Sequence, residues 1–315
     1  MSANTTYLRL MLRGTFSLVK LLAANPGDLA KLKERSEASG ERYVRPPRRY
    51  ELPAYDPSMK IAPSRQRYLR PTRFCNPYTP QVMALAHSLG AFRLPPRQYA
   101  KAAFAFAKEK LYLEICPFDE VDLTLQRGAG TCFHLISVFI ALCRAAGIPA
   151  RYKMFSTTMI QAWRSALVDQ DPMVKKWYDS LGYFMIEGEG EAFVDGRWTV
   201  AHVGPTAERQ ASAGLPITRF GEDALGLWFF AVPGTLMIME SVPLGLGRGS
   251  RFLQRIAPGS LERVNLGVLA QSEAGLKVLA AAGGVEAYDR KVRMAMGPEV
   301  PTLELEEKKG IVFAE

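Results

Sequence analysis

Cys132 is the residue whose type and position most clearly offer chemistry, because it follows a glycine-rich loop and begins an apolar run. The apolar residues of this run recur at three- and four-residue spacing: Leu135, Ile136, Phe139, Ile140, Leu142 and Cys143. The spacing predicts a buried helix that begins at Cys132 and ends at Gly147. A cysteine in the first turn of a helix can have a lowered pKa, because unpaired N–H groups and the helix dipole favour an anion there. Cys132 is therefore predicted to be a thiolate nucleophile, although many free cysteines are simply small buried residues.

The loop before Cys132 carries Gly128 and Gly130. Glycines at these positions would let a substrate carbonyl or the chain itself approach closely. Backbone N–H groups in such a loop can also stabilise an oxyanion. The loop is therefore expected to contribute to the same site as the cysteine.

Two blocks of the sequence resemble the transglutaminase-like superfamily. GAGTCFHLISVFIALCRAAGIPARY is similar to its nucleophile segment, in which a G-x-G-x-C loop precedes a helix ending in R-A-x-G-I-P-A-R. EAFVDGRWTVAHVGPT, at residues 191–206, is similar to the strand pair that usually reads E-V-Y-V-D-G-R-W and then D-P-T. The resemblance implies an α+β fold with a papain-like core, in which a nucleophile helix packs on an antiparallel sheet. It also implies a Cys–His–Asp acyl-transfer site.

The second block departs from the family at two positions that matter for catalysis. The family's histidine position falls on Glu187, and its aspartate position falls on His202, so the acid and the histidine are exchanged. Asp195-Gly196 predicts a two-residue type I′ hairpin turn. In that register Glu189 lies opposite His202, and Glu187 lies on the diagonal of the same face.

Two arrangements of the site are consistent with this register. In one, a Cys132 thiolate pairs with a His202 imidazolium that Glu189 or Glu187 orients. In the other, Glu187 lies next to Cys132 as acid or base, and His202 lies behind it. A structural interpretation also stands, with His202 as a buried hydrogen-bonded residue and the Glu-Gly alternation of 187–191 as a solvated edge strand. Cys132, His202 and Glu187 form no compact ligand motif, so neither a metal nor a cofactor is expected.

The positive charge of the chain is concentrated in its N-terminal third. Residues 1–100 hold 17 lysines and arginines against 6 aspartates and glutamates, whereas the whole chain has a net charge of +9. Between residues 42 and 73, arginines and tyrosines alternate with prolines that forbid long helices, which predicts an extended segment on the surface. Nucleic acid is not expected as a partner, because no recognised binding module accompanies this segment. A solvated basic face or a dock for an acidic protein is favoured.

The predicted organisation has three parts: a basic extension at 1–78, a transglutaminase-like core at 79–240 and a helical extension at 241–315. Residues 157–180, between the two family blocks, are predicted to be helical with a break at Asp171-Pro172 and to form a lid or substrate wall. Apolar residues make up 48% of the chain but no run reaches eighteen residues, so neither a membrane span nor a signal peptide is expected. Four dispersed cysteines suit a reducing cytoplasm. The C-terminal extension is expected to serve packing or homodimer formation.

The leading functional hypothesis is a cysteine-dependent acyl-transfer enzyme with Cys132 as nucleophile and His202, Glu187 and Glu189 as the other catalytic residues. Its donor would be an amide, ester or thioester, carried by a small molecule or by a carrier protein in a biosynthetic pathway. One alternative keeps the fold but uses Glu187 and His202 for proton transfer, cyclisation or lyase chemistry. Another is a non-catalytic binding module.

Overall fold

An antiparallel sheet from the second half of the chain forms the centre of the fold. The computed structural model describes residues 3–34, 42–223 and 229–296. Its strands are β1 (Tyr112–Leu113), β2 (Ala129–Gly130), β3 (Ala150–Met159), β4 (Phe184–Val194), β5 (Arg197–Ala201), β6 (Phe229–Ala231) and β7 (Met237–Met239). The sheet order is β5-β4-β3-β6, and β7 also pairs with β3. Strands β1 and β2 form a separate parallel pair.

The helices surround this sheet and contribute most of the remaining core. They are α1 (Ala3–Ala24), α2 (Pro26–Lys33), α3 (Pro80–Ser88), α4 (Pro96–Glu109), α5 (Val121–Arg127), α6 (Cys132–Ala145), α7 (Gln161–Leu167), α8 (Pro172–Leu181), α9 (Ala207–Ser212), α10 (Leu244–Ile256), α11 (Pro258–Ala281) and α12 (Val285–Met296). Helix α6 is buried almost along its whole length and contacts α3, α4, α5, β3 and β4. The predicted α+β fold, with the helix that begins at Cys132 packed on an antiparallel sheet, is confirmed.

Two glycines of β4 let α6 lie directly on the sheet. A Cβ atom at Gly190 would be 2.7 Å from the Phe139 ring, and one at Gly188 would be 3.2 Å from the Phe133 ring. Aromatic rings of the helix therefore occupy the glycine side of the Glu-Gly alternation. The alternation is not a solvated edge strand, since β4 lies between β3 and β5 and Glu189 is fully buried.

The hairpin between β4 and β5 has the turn and the register that the sequence predicts. Asp195 and Gly196 both have positive φ values, 53° and 74°, which is the requirement of a type I′ turn. Val194 pairs with Arg197, and Gly190 pairs with Ala201. Continuing this register by one residue brings position 189 opposite position 202.

The segment between the two family blocks is less helical than its sequence predicts. Strand β3 continues through Thr157 and Thr158 to Met159, because this stretch pairs with β6, some seventy residues later in the chain. Helices α7 and α8 follow, and the predicted break is present. Asp171 caps α8 by accepting hydrogen bonds from the backbone N–H groups of Met173 and Val174.

The basic segment at 42–73 lies extended on the domain surface, and several of its arginines are used internally. Arg45 forms a two-point ion pair with Glu114, and Arg70 forms one with Glu240. The N-terminal α1 contacts α8, and α11 contacts α9 and α7. Both extensions therefore pack against the core. The boundaries at 78/79 and 240/241 stay predictions, and parts of both extensions lie outside the described residues.

Among the residues that the structure describes, each helix is too short or too polar to cross a lipid bilayer. The His, Cys, Asp and Glu side chains of these same residues form no group of three that could hold a metal ion. All four cysteines are described, and each has a free thiol.

Replacing Gly190 with Ala should destabilise the protein, because the added methyl group would overlap the buried Phe139 ring. We expect a loss of about 1–3 kcal/mol in the free energy of unfolding, measured by urea denaturation. Gly249→Ala is the matched control, since a Cβ atom at this position, inside α10, would meet nothing within 4 Å apart from the backbone of the helix itself. Equal urea midpoints for the two variants would contradict the close packing of α6 on β4.

Candidate active site

Cys132 is the first residue of α6, and the side chains around it fix this end of the helix. Thr131 is the N-cap, and its backbone N–H donates to Nδ1 of His134 at 2.9 Å. His134 is fully buried, and its Nε2 lies 3.0 Å from the Asp119 carboxylate. Because Nδ1 accepts a hydrogen bond, Nε2 carries the proton and donates it to Asp119. His134 therefore belongs to the scaffold of the helix start and not to the reacting groups.

Asp119 and Arg127 complete this scaffold. Arg127 contacts both Asp119 oxygens, at 2.7 and 3.0 Å. Burial alone would raise the pKa of Asp119, but the hydrogen bonds from His134 and Arg127 lower it to about 2. Asp119 is consequently an ionised anchor at neutral pH.

The glycines of the loop serve this scaffold rather than substrate approach. A Cβ atom on Gly130 would overlap the side chain of His134. Gly128 has a φ of 73° and lies against Arg48. The sequence predicts close approach of either a substrate carbonyl or the chain itself, and at both positions side chains of the chain itself fill the space.

Glu187 lies next to Cys132. The carboxyl group of Glu187 is hydrogen-bonded to the Cys132 thiol, and one of its oxygens accepts the backbone N–H of Gly188 at 3.1 Å. Gly204 permits this closeness, since a Cβ there would be 3.1 Å from Cys132 Cβ and 3.3 Å from Glu187 Oε1. Of the two arrangements open from the sequence, this is the second, with the acid beside the cysteine.

The protonation state of Cys132 differs from the thiolate that the sequence predicts. Burial raises the pKa of the Cys132 thiol well above its ordinary value, and the neighbouring Glu187 carboxylate raises it further. These effects outweigh the Phe133 N–H at the helix start, which acts in the opposite direction. Burial also raises the pKa of Glu187. The resting site therefore holds a neutral thiol beside a carboxyl group that binds a proton more readily than usual.

His202 lies behind this pair, in a buried network with Glu189 and Lys153. Its Nδ1 is 2.9 Å from Glu189 Oε1, and Lys153 Nζ is 3.1 Å from the other Glu189 oxygen. Burial alone would raise the pKa of Glu189, but the hydrogen bond with His202 and the Lys153 charge lower it. Glu189 is therefore ionised at neutral pH and holds both partners in place.

Lys108 supports the chain immediately after β5. Its Nζ donates to the carbonyl oxygens of His202 at 3.1 Å and Pro205 at 2.8 Å. Burial lowers the pKa of Lys108 to about 7. The lysine thus fixes the backbone that carries His202, Gly204 and Pro205 toward the site.

A small pocket of about 40 Å³, partly open to solvent, leads to Cys132 and Glu187. Its other lining residues are Leu113, Ile115, Met159, Trp163, Leu167, Gly204, Pro205 and Arg209. Met159, Trp163 and Leu167 belong to the end of β3 and to α7. The segment for which the sequence predicts a substrate wall therefore lines this pocket.

Reasoning from the sequence misses several residues of the site. Asp119 and Arg127 lie in the stretch before Cys132, but their spacing carries no motif. Arg209, in α9, follows the second family block by three residues, and only its nearness to that block could have suggested it. Lys108 and Lys153 carry no signal, because lysine in a helix or strand is usually exposed.

Replacing Glu187 with Gln should lower the pKa of the Cys132 thiol, because it removes a carboxylate that raises this pKa. In the wild type, the pH dependence of iodoacetamide alkylation at Cys132 should have its midpoint above the value of about 8.5 for a free thiol. In Glu187→Gln the midpoint should move to a lower pH. Each unit by which the thiol pKa falls gives about tenfold more thiolate at pH values below the midpoint.

Glu191→Gln provides the control for this measurement. Glu191 is on the same strand but pairs with Arg151, with Arg151 Nε 2.6 Å from a Glu191 oxygen. The Glu191→Gln substitution should leave the midpoint of Cys132 alkylation unchanged. A midpoint in Glu187→Gln at or above that of the wild type would rule out the thiol–carboxyl contact in solution.

Comparison with known proteins agrees with the two sequence blocks. Residues 84–178 match the family model of the transglutaminase-like superfamily, so the match contains α6 and Cys132 and ends before Glu187 and His202. A search of curated proteins finds no significant match. A solved structure, "Putative Cysteine Protease from Cytophaga hutchinsonii", aligns with a TM-score of 0.32 and 20% identity over 55% of this chain, spanning only half of that protein's length. The family match confirms that this chain carries a transglutaminase-like domain.

Proposed function

We propose that this protein is an acyl-transfer enzyme in which Cys132 is the nucleophile and Glu187 is its proton acceptor. The family match supports an enzyme that depends on a cysteine. The observation that carries the finer proposal is the contact between the Cys132 thiol and the Glu187 carboxyl group in the wall of a pocket.

The reaction begins when Glu187 takes the proton of the thiol as Sγ attacks the carbonyl carbon of the donor. The resulting tetrahedral intermediate collapses, and the bond to the nitrogen, oxygen or sulfur of the leaving group breaks. Glu187 returns the proton to that leaving group, which leaves a thioester on Cys132. Water or an amine then attacks the thioester, Glu187 accepts its proton, and the thiol is restored as the acyl product departs.

The raised pKa of Glu187 suits the carboxyl group to this role. A general base is most effective when its pKa approaches the working pH, and an ordinary carboxylate is too weak a base. Burial moves the pKa of Glu187 in that direction. In this proposal Glu189 and His202 position Glu187 from behind and do not touch the substrate.

The pocket lining supports a donor with an apolar acyl portion, because most of the residues around Cys132 are aliphatic or aromatic. The donor is an amide, ester or thioester of a small molecule or of a carrier protein in a biosynthetic pathway. The positive charge of the N-terminal third supports a carrier protein as the source of the acyl group, because an acidic carrier surface would be attracted to it. The four free cysteines support a reducing cytoplasm as the site of action.

A second candidate, proton transfer on a bound substrate, is favoured by one specific observation. Cys132 and Glu187 both have raised pKa values, so a neutral thiol and a carboxyl group stand side by side as an acid and a base. Such a pair could move a proton between two positions of a substrate without a covalent intermediate. The two candidates differ in whether an acyl group ever resides on Cys132.

The test is to trap that acyl group. The protein is mixed with p-nitrophenyl butyrate or with the butyryl thioester of N-acetylcysteamine, quenched in acid and examined by intact-mass and peptide mass spectrometry. We expect one butyryl group per chain, located on Cys132, and none on Cys132→Ala.

Cys116→Ser is the matched control, because Cys116 is also a partly buried free thiol. The Cys116→Ser variant should be acylated on Cys132 to the same extent as the wild type. An adduct on another residue, or adduct formation that persists in Cys132→Ala, would overturn the nucleophile assignment. Turnover of a donor without any adduct would favour proton transfer.

A further inference from the structure

Arg209 places a buried positive charge in the wall of the pocket. The residue is only 3% exposed and lines the pocket together with Cys132 and Glu187. Its Nε donates to the side-chain oxygen of Gln271 at 2.8 Å, and its guanidinium carbon is 4.8 Å from the centre of the Trp163 ring. Gln271 and Trp163 therefore fix the plane and the direction of the guanidinium group.

One end of this guanidinium group has no hydrogen-bond partner. Within residues 3–34, 42–223 and 229–296, no acceptor contacts Nη2 of Arg209, although that nitrogen is buried. A buried charged donor without an acceptor is costly, so such a group is usually completed by a ligand. Burial lowers the pKa of Arg209 to about 10, which still leaves the group charged at neutral pH.

The acidic residues near Arg209 have other partners. Glu208 forms an ion pair with Arg49 at 3.1 Å. Glu187 is hydrogen-bonded to the Cys132 thiol and to the N–H of Gly188. Both carboxyl groups affect the pKa of Arg209, but no ion pair joins either of them to it in the described part of the chain. The guanidinium group is thus available to an anion that enters the pocket.

We propose that Arg209 binds a carboxylate group of the acyl donor. This inference rests on the proposed function and adds a substrate class: an apolar acyl compound that carries a negatively charged carboxylate. Arginine matches a carboxylate in shape and charge, and a buried pair of this kind gives orientation as well as affinity. The carboxylate at Arg209 would hold the donor against Trp163 and direct its carbonyl toward Cys132.

The experiment compares two small probes of equal size, hexanoate and hexanamide, which differ in charge. Their binding to Cys132→Ala is measured by isothermal titration calorimetry, so that the result is independent of the proposed nucleophile. We expect hexanoate to bind about 10- to 100-fold more tightly than hexanamide. In Arg209→Gln on the same background this preference should disappear.

Arg70→Gln is the matched control, since it removes one positive charge from an exposed ion pair with Glu240 outside the pocket. It should retain the preference for hexanoate. Equal binding of the two probes to Cys132→Ala would overturn the inference, and so would an unchanged preference in Arg209→Gln. The first comparison needs no change at Arg209, so it stands even if the Gln variant folds poorly.

The outcome is separable from that of the acyl-trapping test. If butyryl transfer to Cys132 occurs but hexanoate shows no preference, acyl transfer stands and the carboxylate specificity falls. If hexanoate is preferred but no adduct forms on Cys132, the pocket recognises a carboxylate and the reaction proposed for it is wrong.

Discussion

The close contact between helix α6 and strand β4 is the constraint on which the rest of the site depends. Gly188 and Gly190 carry no side chains, so Phe133 and Phe139 of the helix lie directly on the strand. This contact determines how far the helix start can lie from the carboxyl groups of the same strand. Cys132 and Glu187 meet because their elements cannot be separated by a layer of side chains.

The buried charges around this contact divide into two groups with different tasks. Glu189 is ionised, because it contacts His202 through one oxygen and the charged Lys153 through the other, and these contacts offset the cost of its burial. Glu187 faces the thiol and forms no ion pair with any of the described residues, so burial raises its pKa despite the more distant charge of Arg209. Two carboxyl groups two residues apart on one strand thus acquire opposite protonation tendencies from their surroundings. The exchange of histidine and acid that is visible in the sequence therefore changes which kind of group stands beside the cysteine.

Local signals in the sequence are sufficient for the parts of the fold that local chemistry controls. The apolar spacing after Cys132 predicts α6, and Asp195-Gly196 predicts the turn that sets the β4–β5 register. From that register the pairing of Glu189 with His202 follows directly. The same reasoning wrongly places the end of β3 in a helix, because its pairing partner, β6, is distant in sequence, and propensity carries no information about such a partner.

The electrostatic state of Cys132 is beyond sequence reasoning for a related reason. Its position at a helix start predicts a lowered pKa, but burial and the neighbouring Glu187 raise it instead. Both effects come from tertiary packing. The same applies to Arg209, which enters the pocket from a short helix that no motif marks. The scaffold of Asp119, Arg127 and His134 is equally hidden, because its members interact across the loop that precedes the cysteine.

The central claim is that Glu187, and not His202, takes the proton from the thiol. The most direct measurement is the single-turnover rate of Cys132 acylation as a function of pH, in the wild type, in Glu187→Gln and in the double variant Glu189→Gln/His202→Gln. The double variant removes the buried Glu189 carboxylate together with the imidazole that contacts it, and Lys153 keeps its second ion pair, with Asp223 at 3.4 Å. We expect acylation to be nearly lost in Glu187→Gln and retained in the double variant. Loss of acylation in a folded double variant, with retention in Glu187→Gln, would show that His202 is the base and would contradict this account.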